Sequence, residues 1–332
     1  MKILITGATG FVGAHLSLYL ISKGNHVVSI LHDERKVCTA KLLDVVDKID
    51  WARGDLLDEN FVKRVVAEYE VEQVYHVAAL PIVRVGHRTS IPIFQTNVFG
   101  TLNVLEAIRE QQLAGFRISG LLLSTDKVYG DGGSNPYSED LPLNGTAPYE
   151  CSKAMADMVW RAYARNWGLD LVVARSCNIY GIADLNSRII PNTIRRCLAG
   201  KPPVVYLKTP YVREFIHIKD LCDALWLLMV NVPKTKMRAF NVGSGFHVEQ
   251  EELICYILKF FPGLSPIYEE PPPYTTKEIQ YQRLDTKLIA EEIGWRATIP
   301  FEKGLQEVIE WWRAHEHNKH VARDQDFGTP VS

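Results

Sequence analysis

The opening stretch of the chain constrains its fold most. Lys2-Ile3-Leu4-Ile5-Thr6 is short, apolar and largely β-branched, and Gly7-Ala8-Thr9-Gly10-Phe11-Val12-Gly13 follows at once. The next residues, His15 to Ile21, carry apolar side chains at helical spacing and are closed by Lys23-Gly24. A buried strand, a glycine turn and a helix in that order begin a βαβ unit. Glycines spaced this way allow a tight turn. They also let a pyrophosphate approach the backbone at the helix N-terminus, where N–H groups are unsatisfied. Gly7, Gly10, Phe11, Val12 and Gly13 are therefore candidate dinucleotide-binding residues; the bland alternative is a glycine turn that holds nothing.

The alternation continues. His26 to Leu31 reads as a second strand, with Asp33 and Glu34 just past its end. An acidic side chain about 20 residues beyond the glycines suits a ribose 2′-hydroxyl and disfavours a 2′-phosphate, which points to NAD. Arg35 keeps NADP open. Gly54-Asp55-Leu56 ends a third strand unit, where Asp55 is placed to meet adenine or, equally, to cap a helix. Val74 to Ala79 reads as a fourth strand whose small end residues, Ala78 and Ala79, let a cofactor pass. His76 within it is expected to pack rather than to catalyse. Asn97 to Glu106 has the pattern of an amphipathic helix.

Two later stretches carry chemistry. Gly120-Leu121-Leu122-Leu123 is a buried-strand run, and Ser124-Thr125-Asp126-Lys127-Val128-Tyr129-Gly130 follows it. Polar residues at the carboxyl end of such a strand face the crevice where open α/β sheets bind ligands. Tyr149 and Lys153 stand four apart, so on a helix they share a face. An ammonium beside a phenol favours the phenolate and makes a base from a group that otherwise titrates near 10. Taken alone, Tyr-x-x-x-Lys also describes a solvated helix face.

Length and charge exclude other classes. The chain has 332 residues, 47% hydrophobic, which is enough for one large domain or two joined ones. A net charge of −2 leaves no electrostatic footprint for nucleic acid or a membrane surface. The strongest apolar stretch, Leu225 to Val232, is too short to span a bilayer. No secretory signal is expected, and the six scattered cysteines read as free buried thiols of a reducing cytosol, with no metal site. Glu270-Pro271-Pro272-Pro273-Tyr274 reads as a rigid loop, and the His315 to His320 stretch as the start of a solvated polar tail.

In their order, Gly7/Gly10/Gly13, His76-Val77-Ala78-Ala79, Asn97 with Gly100-Thr101, Ser124-Thr125-Asp126 and Tyr149-x-x-x-Lys153 resemble the extended short-chain dehydrogenase/reductase family, specifically its nucleotide-sugar epimerases and dehydratases. The likeness continues through Arg175 to Gly181, Arg213 to Asp220, Phe240 to Gly243 and Leu284 to Lys287. It implies an α/β fold: a doubly wound Rossmann sheet over residues 1–180 with a returning segment near 212–243. A smaller substrate domain comes from 181–211 and 244–313, and the tail is 314–332. It further implies tightly held NAD, a cytoplasmic enzyme, and a homodimer through helices near Thr101–Gln111 and Ser152–Asn166.

In such enzymes Tyr149 takes the sugar 4-hydroxyl proton while NAD takes the C4 hydride, Lys153 holds the nicotinamide ribose and Thr125 bonds the sugar oxygen. Epimerases then return hydride to C4. Dehydratases remove the C5 proton, expel the C6 hydroxyl and return hydride to C6. Asp126 and Lys127 supply titratable groups that an epimerase does not need, and they resemble the pair in CDP-glucose 4,6-dehydratases and inverting UDP-N-acetylglucosamine dehydratases. Many related dehydratases have Asp-Glu there, so Lys127 serves either as the C5 base or as an ion-pair partner of Asp126. Arg213 and Arg283 match positions that meet the pyrophosphate, Asn178 a sugar or phosphate position, and His87, Arg88 and Arg188 the CDP-glucose type. A 4-epimerase or decarboxylase, and a non-catalytic NAD(P) sensor or interaction protein, remain the alternative readings.

Overall fold

In the computed structural model, residues 1–81, 90–207, 211–270 and 279–315 are described. His87, Arg88, the triple proline and the tail beyond His315 lie outside them. The main sheet holds seven strands in the order β10-β6-β5-β4-β1-β2-β3. These are β1 (Lys2–Thr6), β2 (His26–Leu31), β3 (Asp50–Arg53), β4 (Gln73–His76), β5 (Ser119–Thr125), β6 (Asp170–Ser176) and β10 (Ala239–Val242). All neighbours pair in parallel. This is the doubly wound arrangement expected from the strand–helix alternation. The strand order reverses between β1 and β4, so their carboxyl ends flank the crevice where such sheets bind ligands.

Burial follows from the parallel sheet. Helices cover both faces, so the strands are apolar on both sides. One core lies under α1 (Phe11–Ser22) and the later helix α6 (Ile218–Val230). The other lies under α2 (Glu59–Glu68), α3 (Gly100–Leu113) and α4 (Pro148–Trp167), with Trp160 fully buried in it.

A third core serves the remaining elements. β9 (Val212–His217) is the centre of a small sheet with β7 (Asn178–Tyr180), β11 (His247–Glu249) and β13 (Tyr281–Gln282). Helices α5 (Ile189–Leu198), α7 (Gln250–Leu258) and α9 (Phe301–Ala314) pack against it, and β8 (Val204–Tyr206) pairs with β12 (Ile267–Glu269) beside them. α8 (Lys287–Ile293) closes the list of longer helices.

Three expectations from the sequence change. The fourth strand stops at His76 and does not reach Ala79. The N–H groups of Val77 and Ala78 turn to the Thr6 hydroxyl, 3.1 Å from each, instead of continuing the ladder. Asn97 lies not in a regular amphipathic helix but in the π-helical turn Gln95–Phe99 that precedes α3. Among the cysteines, Cys255 is exposed and Cys151 half-buried, because each projects from the outer part of its helix; Cys38, Cys177, Cys197 and Cys222 are buried. All six are free thiols.

Candidate active site

The glycine turn is shaped by contact. Gly7 has φ +82°, and a Cβ there would lie 3.0 Å from the Ala78 Cα. A Cβ at Gly13 would overlap the Gly7 carbonyl. Both glycines are therefore required for the turn to press against the segment just past β4 and to lead into α1. Gly10 differs: its only near neighbour is the Gly7 carbonyl, 3.4 Å away, and its backbone is exposed. It is the N-cap of α1 with no side chain over the first-turn N–H groups. Those donors are free to meet an anion, which is the fit a dinucleotide pyrophosphate requires.

At the switch point the Thr6 hydroxyl lies 2.8 Å from His76 Nδ1, and His76 Nε2 lies 2.9 Å from the Thr101 hydroxyl. His76 stacks on Trp160, and burial lowers its pKa to about 3. It is a neutral packing residue, in keeping with the sequence reading. Thr6 was not singled out from the sequence; only the side-by-side pairing of β1 and β4 gives it a role.

The adenine end is polar. Asp33 lies beyond β2, and His32 stands 3.7 Å from both Asp33 and Asp55. Asp55 is not a helix cap: its carboxylate accepts the Leu57 N–H at 2.9 Å, while Asp58 caps α2 through the Phe61 N–H. Leu56 is buried against Gly100. Glu34 pairs with Arg53, whose guanidinium holds the Glu34 carboxyl below its usual range.

The π turn ties two walls of the crevice together. Asn97 Oδ1 accepts the Leu80 N–H at 2.8 Å, and its amide donates to the Ser152 hydroxyl at 2.9 Å. Ser152 in turn donates to the Tyr149 carbonyl at 2.7 Å. Asn97 thus connects the chain beyond β4 to the helix bearing Tyr149 and Lys153. Local π geometry recurs at functional sites because it re-aims a side chain without ending the helix.

Thr125, Asp126 and Lys127 sit at the carboxyl end of β5. The Thr125 hydroxyl donates to Asp126 Oδ1 at 3.0 Å. Asp126 is 1% exposed, its Oδ2 has no hydrogen-bond partner among the described residues, and burial raises its pKa against the pull of Lys127 and Arg213. Lys127 Nζ donates to Gln282 on β13 at 3.4 Å. Tyr149 is pushed up to about 12 by burial, eased chiefly by the positive charge of Arg188. Arg188 Nη1 lies 3.5 Å from the Ile179 carbonyl.

Lys153 is buried on α4. Its ammonium donates to the Leu123 carbonyl at 2.6 Å, and burial lowers it to about 8.

The substrate-side residues gather around β9. Asn178 donates to the Glu214 carbonyl at 3.1 Å. Arg213 donates to the Val212 carbonyl at 3.0 Å and stacks over Tyr211. Arg283 donates to the Ser134 carbonyl at 2.7 Å, lies 3.2 Å from His247, and keeps a buried Nε with no partner among the described residues.

A family model described as GDP-mannose 4,6 dehydratase matches residues 4–308. The chain belongs to this family. A dTDP-glucose 4,6-dehydratase of Mycolicibacterium smegmatis is 30% identical over 322 residues, covering 95% of this chain and 94% of that protein. One from Haemophilus influenzae is 27% identical over 344 residues, covering 94% and 98%. Among solved structures, a Streptomyces venezuelae dTDP-glucose 4,6-dehydratase with NAD bound matches at TM-score 0.83 and 26% identity, over 96% of this chain and 98% of that one. A Thermotoga maritima UDP-glucose 4-epimerase with UDP-glucose matches at TM-score 0.86 and 25% identity, over 95% and 100%. Family membership agrees with the enzyme read from the sequence, an NAD-dependent nucleotide-sugar dehydratase. The fold likeness by itself does not separate dehydration from epimerisation, since both kinds of enzyme share it. No described helix is long and apolar enough to cross a membrane.

Proposed function

We propose that the protein is an NAD-dependent 4,6-dehydratase of a nucleoside diphosphate hexose. The observation that carries this reading is Asp126: a buried carboxyl beside Thr125, one oxygen unpartnered, held toward its neutral form. A neutral carboxylic acid can hand a proton to a departing hydroxyl, and a raised pKa in an apolar site is how such an acid persists at neutral pH. An epimerase expels nothing and needs no such group. NAD, when bound, accepts the C4 hydride and returns it to C6. Tyr149 takes the 4-hydroxyl proton, Thr125 bonds the sugar oxygen, Lys153 holds the nicotinamide ribose, and Arg213 and Arg283 meet the diphosphate.

For the base, Asp126-Lys127 and Arg188 favour CDP-glucose, whereas the relatives act by name on dTDP-glucose. Incubation with CDP-, dTDP-, UDP- and GDP-hexoses and mass spectrometry tests both levels. Loss of one water from any of them supports dehydration, and the preferred base decides the finer point. A product of unchanged mass and inverted C4 would replace dehydration by epimerisation.

The bound nucleotide is expected to be NAD. The acidic Asp33 lies past β2 and Glu34 follows it, which disfavours the 2′-phosphate that Arg35 would otherwise accommodate. Nucleotide extracted from purified protein and separated by chromatography is expected to be NAD, with no net consumption during turnover. NADP as the dominant species would contradict this.

The assembly is expected to be a homodimer through α3 and α4. Met155 and Met158 stay 45% and 57% exposed on α4, with Phe99 at 59% beside them. Met155, Met158 and Ala162 form an exposed stripe at helical spacing on the face opposite Trp160. Light scattering at micromolar concentration is expected to return twice the chain mass, and Met158→Lys to shift it toward the monomer. A monomeric wild type rejects the interface.

A further inference from the structure

Glu214 belongs to none of the roles above, yet it is a carboxylate only 1% exposed at the middle of the substrate-side sheet. Its Oε1 accepts the Gly245 N–H at 2.9 Å and its Oε2 the Leu284 N–H at 2.7 Å. Burial lifts its pKa to about 7 while these donors hold it down. A Cβ at Gly243 would overlap Oε1, so the carboxylate seats only because that residue is glycine. A buried carboxylate kept in place by two backbone donors is costly to retain and costly to disturb.

Its neighbours give it meaning. Glu214 follows Arg213 on β9, and Leu284 follows Arg283, so one carboxylate ties together the peptides adjoining both arginines. Arg213 also stands in register with Gln282, the residue that accepts from Lys127, and the Glu214 carbonyl receives Asn178. We propose that Glu214 is a positioning residue that sets the separation of Arg213 and Arg283 so that the two guanidinium groups close on one diphosphate. This rests on the reading of those arginines as diphosphate ligands. Bidentate donors are effective only at fixed separation, which is why a rigid link between their backbones affects affinity.

Glu214→Gln keeps the shape but offers one acceptor and turns an NH₂ group toward the second N–H. The test uses full-length protein with its bound nucleotide and calorimetric titration with CDP, dTDP, UDP and GDP, which carry no sugar. For whichever binds wild type best, Glu214→Gln is expected to bind about 10- to 100-fold more weakly, the effect of a lost charge-assisted bond in a buried site. Its NAD content is expected to match wild type. Because Glu214 acts through the arginine, adding Glu214→Gln to Arg283→Ala is expected to cost no further affinity.

Gly243→Ala, which displaces the carboxylate while leaving its charge, is expected to reproduce the loss. Unchanged affinity in Glu214→Gln with wild-type NAD content overturns the assignment and leaves the arginines as diphosphate ligands. Loss of the cooperative unfolding transition in both Glu214→Gln and Gly243→Ala makes the residue a determinant of folding and overturns it too. A wild type that binds none of the four diphosphates removes the diphosphate reading itself, and Glu214 falls with it.

Discussion

Asp126→Asn is expected to slow turnover by about 10²–10⁴-fold, the usual contribution of a positioned acid, and to accumulate reduced cofactor on mixing with substrate. The amide has nearly the same shape, and Thr125, Tyr149 and Lys153 are unchanged, so oxidation at C4 proceeds. The departing hydroxyl then lacks its proton donor. The Asp126 carboxyl is buried, accepts the Thr125 hydroxyl at 3.0 Å on Oδ1, and has an Oδ2 with no hydrogen-bond partner among the described residues to carry the proton. Stopped-flow absorbance of the dihydronicotinamide is the measurement. Wild-type turnover in this variant would withdraw the main support for dehydration and leave epimerisation in its place.

Tyr149→Phe is expected to fail one step earlier, losing about 10²–10⁴-fold in turnover with no accumulation of reduced cofactor. Burial pushes the phenol up to about 12. A base that must give up its proton from there needs positive charge nearby, and Arg188 is the cation that moves it. Arg188→Ala is therefore expected to move the acidic limb of the pH–rate profile toward higher pH, because removing a positive neighbour raises a phenol's pKa and a base is active only once deprotonated. An unmoved limb would show that Arg188 has no part in activating Tyr149. Reduced cofactor appearing in Tyr149→Phe at the wild-type rate would remove Tyr149 from the first step.

Sequence reasoning reached the parts of this molecule whose physics is local. The apolar runs marked β1, β2 and β5 because strands of a parallel sheet are buried on both faces, and that requirement is written into consecutive residues. Gly7 and Gly13 were legible because a tight turn against a strand leaves no room for a side chain, wherever the rest of the chain goes. Tyr149 and Lys153 were legible as a pair because four residues make one helical turn.

What depended on distant segments was not legible. The end of β4 is set by Thr6, some seventy residues earlier, which takes the N–H groups that would prolong the strand. Asn97 belongs to the motif read from the sequence, but its π turn and its links to Leu80 and Ser152 depend on segments that the local pattern does not show. The cap offered to Asp55 goes instead to Asp58, three residues on, because only there does the course of the backbone bring a first-turn N–H to the carboxylate.

The protonation behaviour was the least accessible part. Tyr149 and Lys153 share a face of α4, but the Leu123 carbonyl that takes the ammonium, the Arg188 charge near the phenol and the burial of both come from segments far away in the chain. Glu214 shows the same limit: in sequence it is one acidic residue after an arginine, and its function follows from Gly243, Gly245 and Leu284 closing around it. By itself the sequence determined the sheet, the glycine turn and which residues carry chemistry, because these depend on near neighbours. The tertiary structure alone decided which of those residues meet, how deeply each is buried and what each pKa becomes, because desolvation and long-range hydrogen bonds belong to the packed chain.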